Sequence, residues 1–380
     1  MTRVVFETAT IADALRKAER CAPKARGEGE AFGTAAGLVL EVRPLFPDGQ
    51  QVRLRSTNTE IFYDEWVDAI SIEGDAVDWR VSDRALVPAV NLLPVKSGAQ
   101  VSFETHGGLL KINSARTSVS VCLIPMAGYP IWEPFDESGT EVVSNLGVRL
   151  SQVAWACDEK EQMLSGVRFT GTHLVATNRR VAAMVPCEIP VLAGPVTVSA
   201  KVLANVIKHS GDVRLGVLER NLGIAPDAHT QIKCAVYDGN YPDISVFTRI
   251  DYDTSMTISR DMLVETVQRL STMAKGQDNP IIKMLVGAGD MTFRLDGEMK
   301  GESISESVEL PGQADHFPVL MGFTPKILLD AISKCPDERI VLSYNSGTGK
   351  DNTIVNVNGG GGYEAWFVQT KITKNGVAET

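Results

Sequence analysis

The stretch Ser82–Leu93, SDRALVPAVNLL, returns in altered form at Ser199–Ser210 (SAKVLANVIKHS) and again at Thr324–Cys335 (TPKILLDAISKC). Each copy follows a short apolar run and opens on a hydroxyl residue suited to a helix N-cap. Two positions after that cap the residue is always basic: Arg84, Lys201, Lys326. The fourth, seventh and eighth positions are always apolar: Leu86, Ala89, Val90; Leu203, Val206, Ile207; Leu328, Ala331, Ile332. Those offsets make a single buried stripe on a helix. The copies start roughly 120 residues apart, a period that marks an array of like units. A cation held at one place in three like units suggests a scaffold around something negative, not one catalytic pocket.

Working outward, each third has the same order. A strand leads to a first helix, then strands, then the helix quoted above, then a hairpin-rich end. The first helices are read at 10–21, 151–158 and 259–274, with Thr10, Ser151 and Ser259 as caps and Thr10 with Asp13 as an approximate capping box. Alternating runs at 99–104, 118–124, 212–218, 232–237, 339–344 and 353–357 read as strands. Two polar stretches, 134–145 and 248–255, separate the thirds. The expected domains are 1–137, 138–250 and 251–380. The fold class is α+β, with two helices per domain packed on antiparallel sheets. Pro88 falls on the polar side of its stripe, so a kink is expected there and not a break.

Composition narrows the function. The chain has 380 residues and a formal net charge of −10. An acidic total disfavours nucleic acid unless the cations are gathered on one face. No apolar run is long enough for a membrane helix, and MTRVVFETAT lacks the pattern of a signal peptide. Six scattered cysteines without a CxxC pair read as buried reduced thiols, hence a cytoplasmic protein without metal. The five histidines are isolated and no nucleophile elbow occurs. The glycine run 359–362 precedes a strand and reads as a loop. NSGTGKDN (345–352) lacks the helix that a phosphate loop requires. Asp243, after Pro242, reads as a local backbone acceptor. No catalytic residue and no cofactor is expected.

The unit ends carry a resemblance. MLSGVRF (163–169), LVATNRRVA (174–182) and YDGNYPDISVF (237–247) lie in the middle third, SARTSVSVCLIPMAGYP (114–130) ends the first, and YEAWFVQTKI (363–372) ends the last. In that order the set resembles the bacterial sliding clamp, the beta subunit of DNA polymerase III, over essentially the whole chain. Asn178-Arg179 replaces the family's aspartate-glycine pair in a motif one residue shorter, and Val368-Gln369-Thr370-Lys371 replaces its Met-Pro-Met-Arg ending. These departures are those of a divergent member, a viral one among the candidates.

The resemblance implies a head-to-tail homodimeric ring around double-stranded DNA, lined by helices and faced outside by sheets. It would be a processivity factor without bond chemistry. Its partners would be DNA gripped without sequence preference, a second copy of itself, and peptides of polymerase and clamp loader. DNA-facing candidates are Arg16, Arg20, Lys24, Arg26, Arg84, Lys201, Lys208, Lys326 and Lys334. The implied peptide groove comprises Leu164, Thr177, Arg180, Val181, Pro242, Val246, Phe247, Phe367 and Val368. It is greasier than the family's, which has an arginine where Val246 stands. The implied ring joint uses the edge strand with Arg116, Val119 and Val121, together with Leu270 and Met273. The rival readings are a ring of three two-unit subunits, disfavoured by the three-unit count, and a monomeric α+β enzyme or ligand-binding protein. The last would need a deep pocket with convergent polar groups.

Overall fold

The computed structural model describes residues 2–23, 30–44, 50–158, 160–208, 210–287, 289–297, 302–309, 319–346, 354–370 and 372, the side chains of 30–32 and 201 excepted. The expected cations Lys24 and Arg26 lie outside the described residues, as does most of 345–352.

The first third runs β1 (Arg3–Glu7), α1 (Thr8–Cys21), α2 (Glu30–Ala35), β2 (Leu38–Val42), β3 (Gln51–Thr57), β4 (Ile61–Asp68), β5 (Ser71–Glu73), β6 (Val77–Val81), α3 (Asp83–Asn91), β7 (Gln100–His106), β8 (Leu109–Ser114) and β9 (Thr117–Ile124). The second runs β10 (Glu141–Val143), α4 (Leu146–Val153), α5 (Gln162–Ser165), β11 (Gly166–Phe169), β12 (His173–Thr177), β13 (Val181–Pro186), β14 (Val196–Ser199), α6 (Lys201–Val206), β15 (Val213–Leu218), β16 (Asn221–Asp227), β17 (Thr230–Ala235) and α7 (Ser245–Thr248). The last runs β18 (Thr254–Ser259), α8 (Arg260–Met273), β19 (Ile282–Val286), β20 (Asp290–Asp296), β21 (Ser303–Glu309), β22 (Val319–Phe323), α9 (Pro325–Ile332), β23 (Arg339–Tyr344), β24 (Ile354–Asn358) and β25 (Glu364–Val368). No helix among the described residues is long and apolar enough to cross a membrane.

The strand order repeats. One four-strand order appears as β6-β2-β3-β4, as β14-β11-β12-β13 and as β22-β19-β20-β21. Another appears as β9-β8-β7-β1, as β17-β16-β15-β10 and as β25-β24-β23-β18. Neighbouring strands such as β12–β13, β16–β17 and β19–β20 pair antiparallel, as hairpin-linked strands require. The last strand of the first order pairs with the leading strand of the second order in the next third. So β4 joins β17 from Ile61↔Cys234 to Glu65↔Thr230, and β13 joins β25 from Val181↔Phe367 to Met184↔Glu364. The chain divides into two compact units, 1–148 with 189–193 and 198–237, and 149–188 with 194–197 and 238–380. Each unit contains one of these seams.

Helix stripes lie where the periodicity put them. Leu86, Ala89 and Val90 are buried on α3, and Leu328, Ala331 and Ile332 on α9. Leu203 and Ile207 are buried at α6, with Val206 half-buried. Pro88 stands on the exposed side of α3, which runs through it.

The caps are corrected. Helix α1 begins at Thr8, so Thr10 lies inside it, and Asp13 pairs with Arg16 and Lys17 in place of a capping box. Helix α4 occupies 146–153, not 151–158, and Ser151 is internal. Leu146, Leu150 and Val153 form its buried stripe, and Gly147 passes so close to the Ile207 carbonyl that any side chain would collide. Ser82 and Thr324 hold the N-cap position without a side-chain cap bond, and Ala200 displaces Ser199 from it. Ser259 caps its helix as expected, accepting from the Met262 amide. The stretch 134–145 is not a bare linker: it contains β10, paired with β15. Five cysteines are buried and Cys122 is exposed, all free.

Candidate functional site

Helix α1 carries its core stripe on Ile11, Leu15 and Ala18, which turns Arg16, Lys17 and Arg20 away from the core. These three cations and Asp13 meet the C-terminal end of α6 (Val206, Ser210) and the end of β16 (Pro226, Asp227) around a cleft of about 540 Å3 in the first unit. Arg20 Nη1 donates to the Asn205 carbonyl at 2.7 Å, and Arg16 Nε donates to the Ala12 carbonyl at 3.2 Å. Arg16 also reaches Asp13 at 3.5 Å, but a guanidinium has five N–H donors, so these anchors fix the side chains and leave donors for a phosphate. Lys17, not anticipated from sequence, bonds Glu65 and Asp13, each at 3.1 Å. Burial opposes its charge, but the two carboxylates outweigh burial and its pKa is raised. Its i,i+4 spacing from Asp13 was the available signal.

The remaining candidates differ in freedom. Arg84 is exposed and pairs with no carboxylate among the described residues. Lys208 is exposed two residues past α6. Lys326 is exposed but is held by Asp330 at 2.6 Å within α9, so its charge is locally compensated. Lys334 is half-buried, and its carbonyl accepts from Gln152. The Lys201 side chain is outside the described set.

The expected peptide groove lies entirely in the second unit. Its residues separate into two groups. Leu164, Thr177, Val181, Phe247 and Phe367 are core residues that back the surface without reaching it. Thr177 Oγ1 donates to the Val181 carbonyl and accepts the Arg179 amide, closing the turn 177–181. Arg180, Val246 and Val368 stand exposed, Val246 at 62%, with Pro242 half-buried between. Arg179 adopts φ +69° where the family has glycine, and its guanidinium forms a bidentate pair with Glu161 at 2.8 and 2.9 Å. Phe247 packs with Ala182 and Trp366 across the second seam. Asp243 accepts from the Ser245 amide and hydroxyl, as its turn position foretold.

At the expected joint, β9 pairs β8 along its length and β6 only at Leu123 and Ile124. Its outer edge at 117–122 therefore has no partner strand among the described residues. Arg116 is exposed and Val119 half-buried; Val121 is buried in its own sheet. Leu270 is fully buried on α8, a core residue and not a contact surface, which leaves Met273, 39% exposed, at the helix end. Strand β21 ends its four-stranded sheet and pairs only β20 among the described residues.

The crystal structure of the DNA polymerase III beta subunit of Thermotoga maritima aligns with a TM-score of 0.80, covering 98% of this chain and all (100%) of that one at 19% identity. The chain has the sliding-clamp fold. A second clamp, the Helicobacter pylori beta clamp bound to a DNA ligase peptide, aligns with a TM-score of 0.74 at 15% identity, covering 97% and 100% of the two chains. In sequence, the beta sliding clamp of Rickettsia bellii is 18% identical over 373 residues, spanning 91% of this chain and 94% of its own. No family model matches the chain. The resemblance of the sequence to bacterial sliding clamps therefore extends to the whole fold, at the low identity of a divergent relative.

Proposed function

We propose that this chain is a processivity clamp. Its domains are 1–137, 138–250 and 251–380. Two copies close head to tail around duplex DNA, and the ring tethers polymerase and loader peptides without catalysing a reaction. One observation supports this most: two of three equivalent strand pairings are made within the chain, and the third pair of edges, β21 and β9, is left over. A second copy supplies what one copy lacks. Antiparallel pairing of β21 with β9 of another copy repeats the internal seams and closes a two-fold assembly. The edges are complementary in charge, with Glu302, Glu306 and Glu309 around β21, and Lys111 and Arg116 beside β9.

The α1 cleft and Arg84 supply phosphate attraction that reads no bases, as sliding requires. Arg180, Pro242, Val246 and Val368 form the reachable part of a peptide surface, to which the ligase peptide of the Helicobacter clamp gives the precedent.

Gel filtration with light scattering at micromolar concentration should give twice the chain mass, and Val119→Asp, which sets an acid against the acidic β21 edge, should restore the monomer. Loaded protein should stay on closed circular DNA and leave linearised DNA. A strict monomer lost equally from both forms would return the reading to a monomeric binding protein. For the peptide surface, Val246→Asp should weaken a labelled DNA ligase peptide by about tenfold.

A further inference from the structure

At the turn Tyr241–Ile244 the second unit holds an open cavity of about 400 Å3. Its floor is a cross-strand row, Arg168 on β11, Val175 on β12 and Met184 on β13. Its roof is Tyr241, Pro242 and Ile244. Met184 and Ile244 also pack against Ala182, Phe247 and Trp366, so cavity and expected groove share one wall. A volume of this size lies in the range of small-ligand sites and admits a large side chain together with a neighbouring polar group.

The charges are uneven. The Arg168 guanidinium lies over the Tyr241 ring, 5.5 Å from its centroid, and no carboxylate among the described residues pairs with it. Asp243, at the mouth, has both oxygens engaged by Ser245, whose bonds hold its carboxyl below the usual range. His173 faces the cavity from β12, its Nδ1 at 2.9 Å from Thr172 Oγ1. Glu364 lies beyond Met184 in the row, half-buried. Arg168 is thus a cation with an aromatic backing and donors to offer, in one row with the apolar Val175 and Met184.

We propose that this cavity takes an apolar peptide side chain next to a carboxylate, and that Arg168 is the residue that selects the acid. The inference rests on the peptide-docking reading and extends it from the Val246 surface to the adjoining cavity lined by Arg168. A planar guanidinium receives a carboxylate through paired N–H donors, and an amide in its place loses the charge assistance.

The test uses the full chain labelled with 13C-methyl methionine, the Met184 signal being assigned by its loss in Met184→Leu. The probes are N-acetyl-Leu-Phe-Asp-amide and its Asn counterpart. The Asp peptide should shift the Met184 methyl signal with a Kd about fivefold below that of the Asn peptide. Arg168→Gln, a change at a half-exposed site, should equalise the two while both still shift the signal. Met184 signals unmoved by either peptide, or equal Kd values in the unmodified chain, would overturn the proposal. If the ligase peptide still binds through Val246 in that case, the docking reading stands and only the acid-selecting pocket falls. If the Asp preference persists in Val246→Asp while that change leaves ligase binding untouched, the pocket stands without the groove.

Discussion

The two internal seams have the same topology and opposite chemistry. Across β4–β17 runs a buried polar lattice. Arg53 Nε donates to Asp64 Oδ1 at 2.7 Å, Arg55 Nε stands 3.3 Å from the same oxygen, and Trp132 Nε1 donates to Asp64 Oδ2. The segment after β9 supplies the cover: Trp132 under Arg55 at 4.2 Å, and Tyr129 under Arg80 at 5.0 Å. Lys233 and Gln231 of β17 bond the Glu133 and Phe135 carbonyls. Across β13–β25 lies an apolar cluster instead, Ala182, Phe247 and Trp366, flanked by Met184, Ile244, Tyr252 and Ile354. Pairing of edge strands defines where thirds join, and the covering segment decides what holds the join. A polar lattice demands complete partners, whereas an apolar cluster demands only volume.

The sharpest way to break this comparison is Asp64→Ala. It leaves Arg53 and Arg55 buried without their central acid, a loss of about 3–5 kcal/mol by urea unfolding of the full chain. The apolar seam should be as vulnerable but differently curable. Trp366→Ala should cost about 3–5 kcal/mol through the cavity it leaves. The triple change Arg53→Met, Asp64→Leu, Arg55→Met should recover most of the Asp64→Ala loss, because a packed apolar set replaces a buried ion group. Failure of the triple change to recover would show that the first seam needs its charges.

How much of this was legible follows from distance along the chain. Stripes such as Leu328, Ala331 and Ile332 depend on local periodicity, and they are buried as read. The threefold order of elements was legible for the same reason. Seams pair residues far apart, such as Ile61 with Cys234, and no local pattern announces them. Resemblance carried positions of the groove but not their exposure, so Leu164 and Phe367 were expected at a surface that they only support. Lys326 looked free because cation counting ignores the next helical turn, where Asp330 waits. Arg168 escaped notice although it alternates with buried Val167 and Phe169, the pattern of a strand residue on the opposite face.

The smallest effects separate the satisfied edge of the second seam from the open edge of β21. Glu364, opposite Met184 on β25, has its carboxyl pushed above the ordinary 4.5 by burial, against lowering by Asn356 and His173. Glu306 on β21 is held below 4.5, first by the Arg269 bond, with Thr266 adding to it against slight desolvation. The signs are opposite. A raised acid binds its proton more tightly when folded, so ionised Glu364 disfavours the fold above its folded pKa, and the penalty fades as pH falls towards 4.5. A depressed acid stabilises the fold fully above 4.5 and loses that contribution as pH falls through its lower folded pKa. Both carboxyls are partly open to solvent, so screening reduces each effect to a few tenths of a kcal/mol. Glu364→Gln should therefore raise the urea midpoint slightly at pH 7 and have no effect near pH 4, while Glu306→Gln should lower it at pH 7 and lose its effect near pH 3. A midpoint not lowered by Glu306→Gln at pH 7 would mean that the ion pair on β21 does not secure that strand to α8.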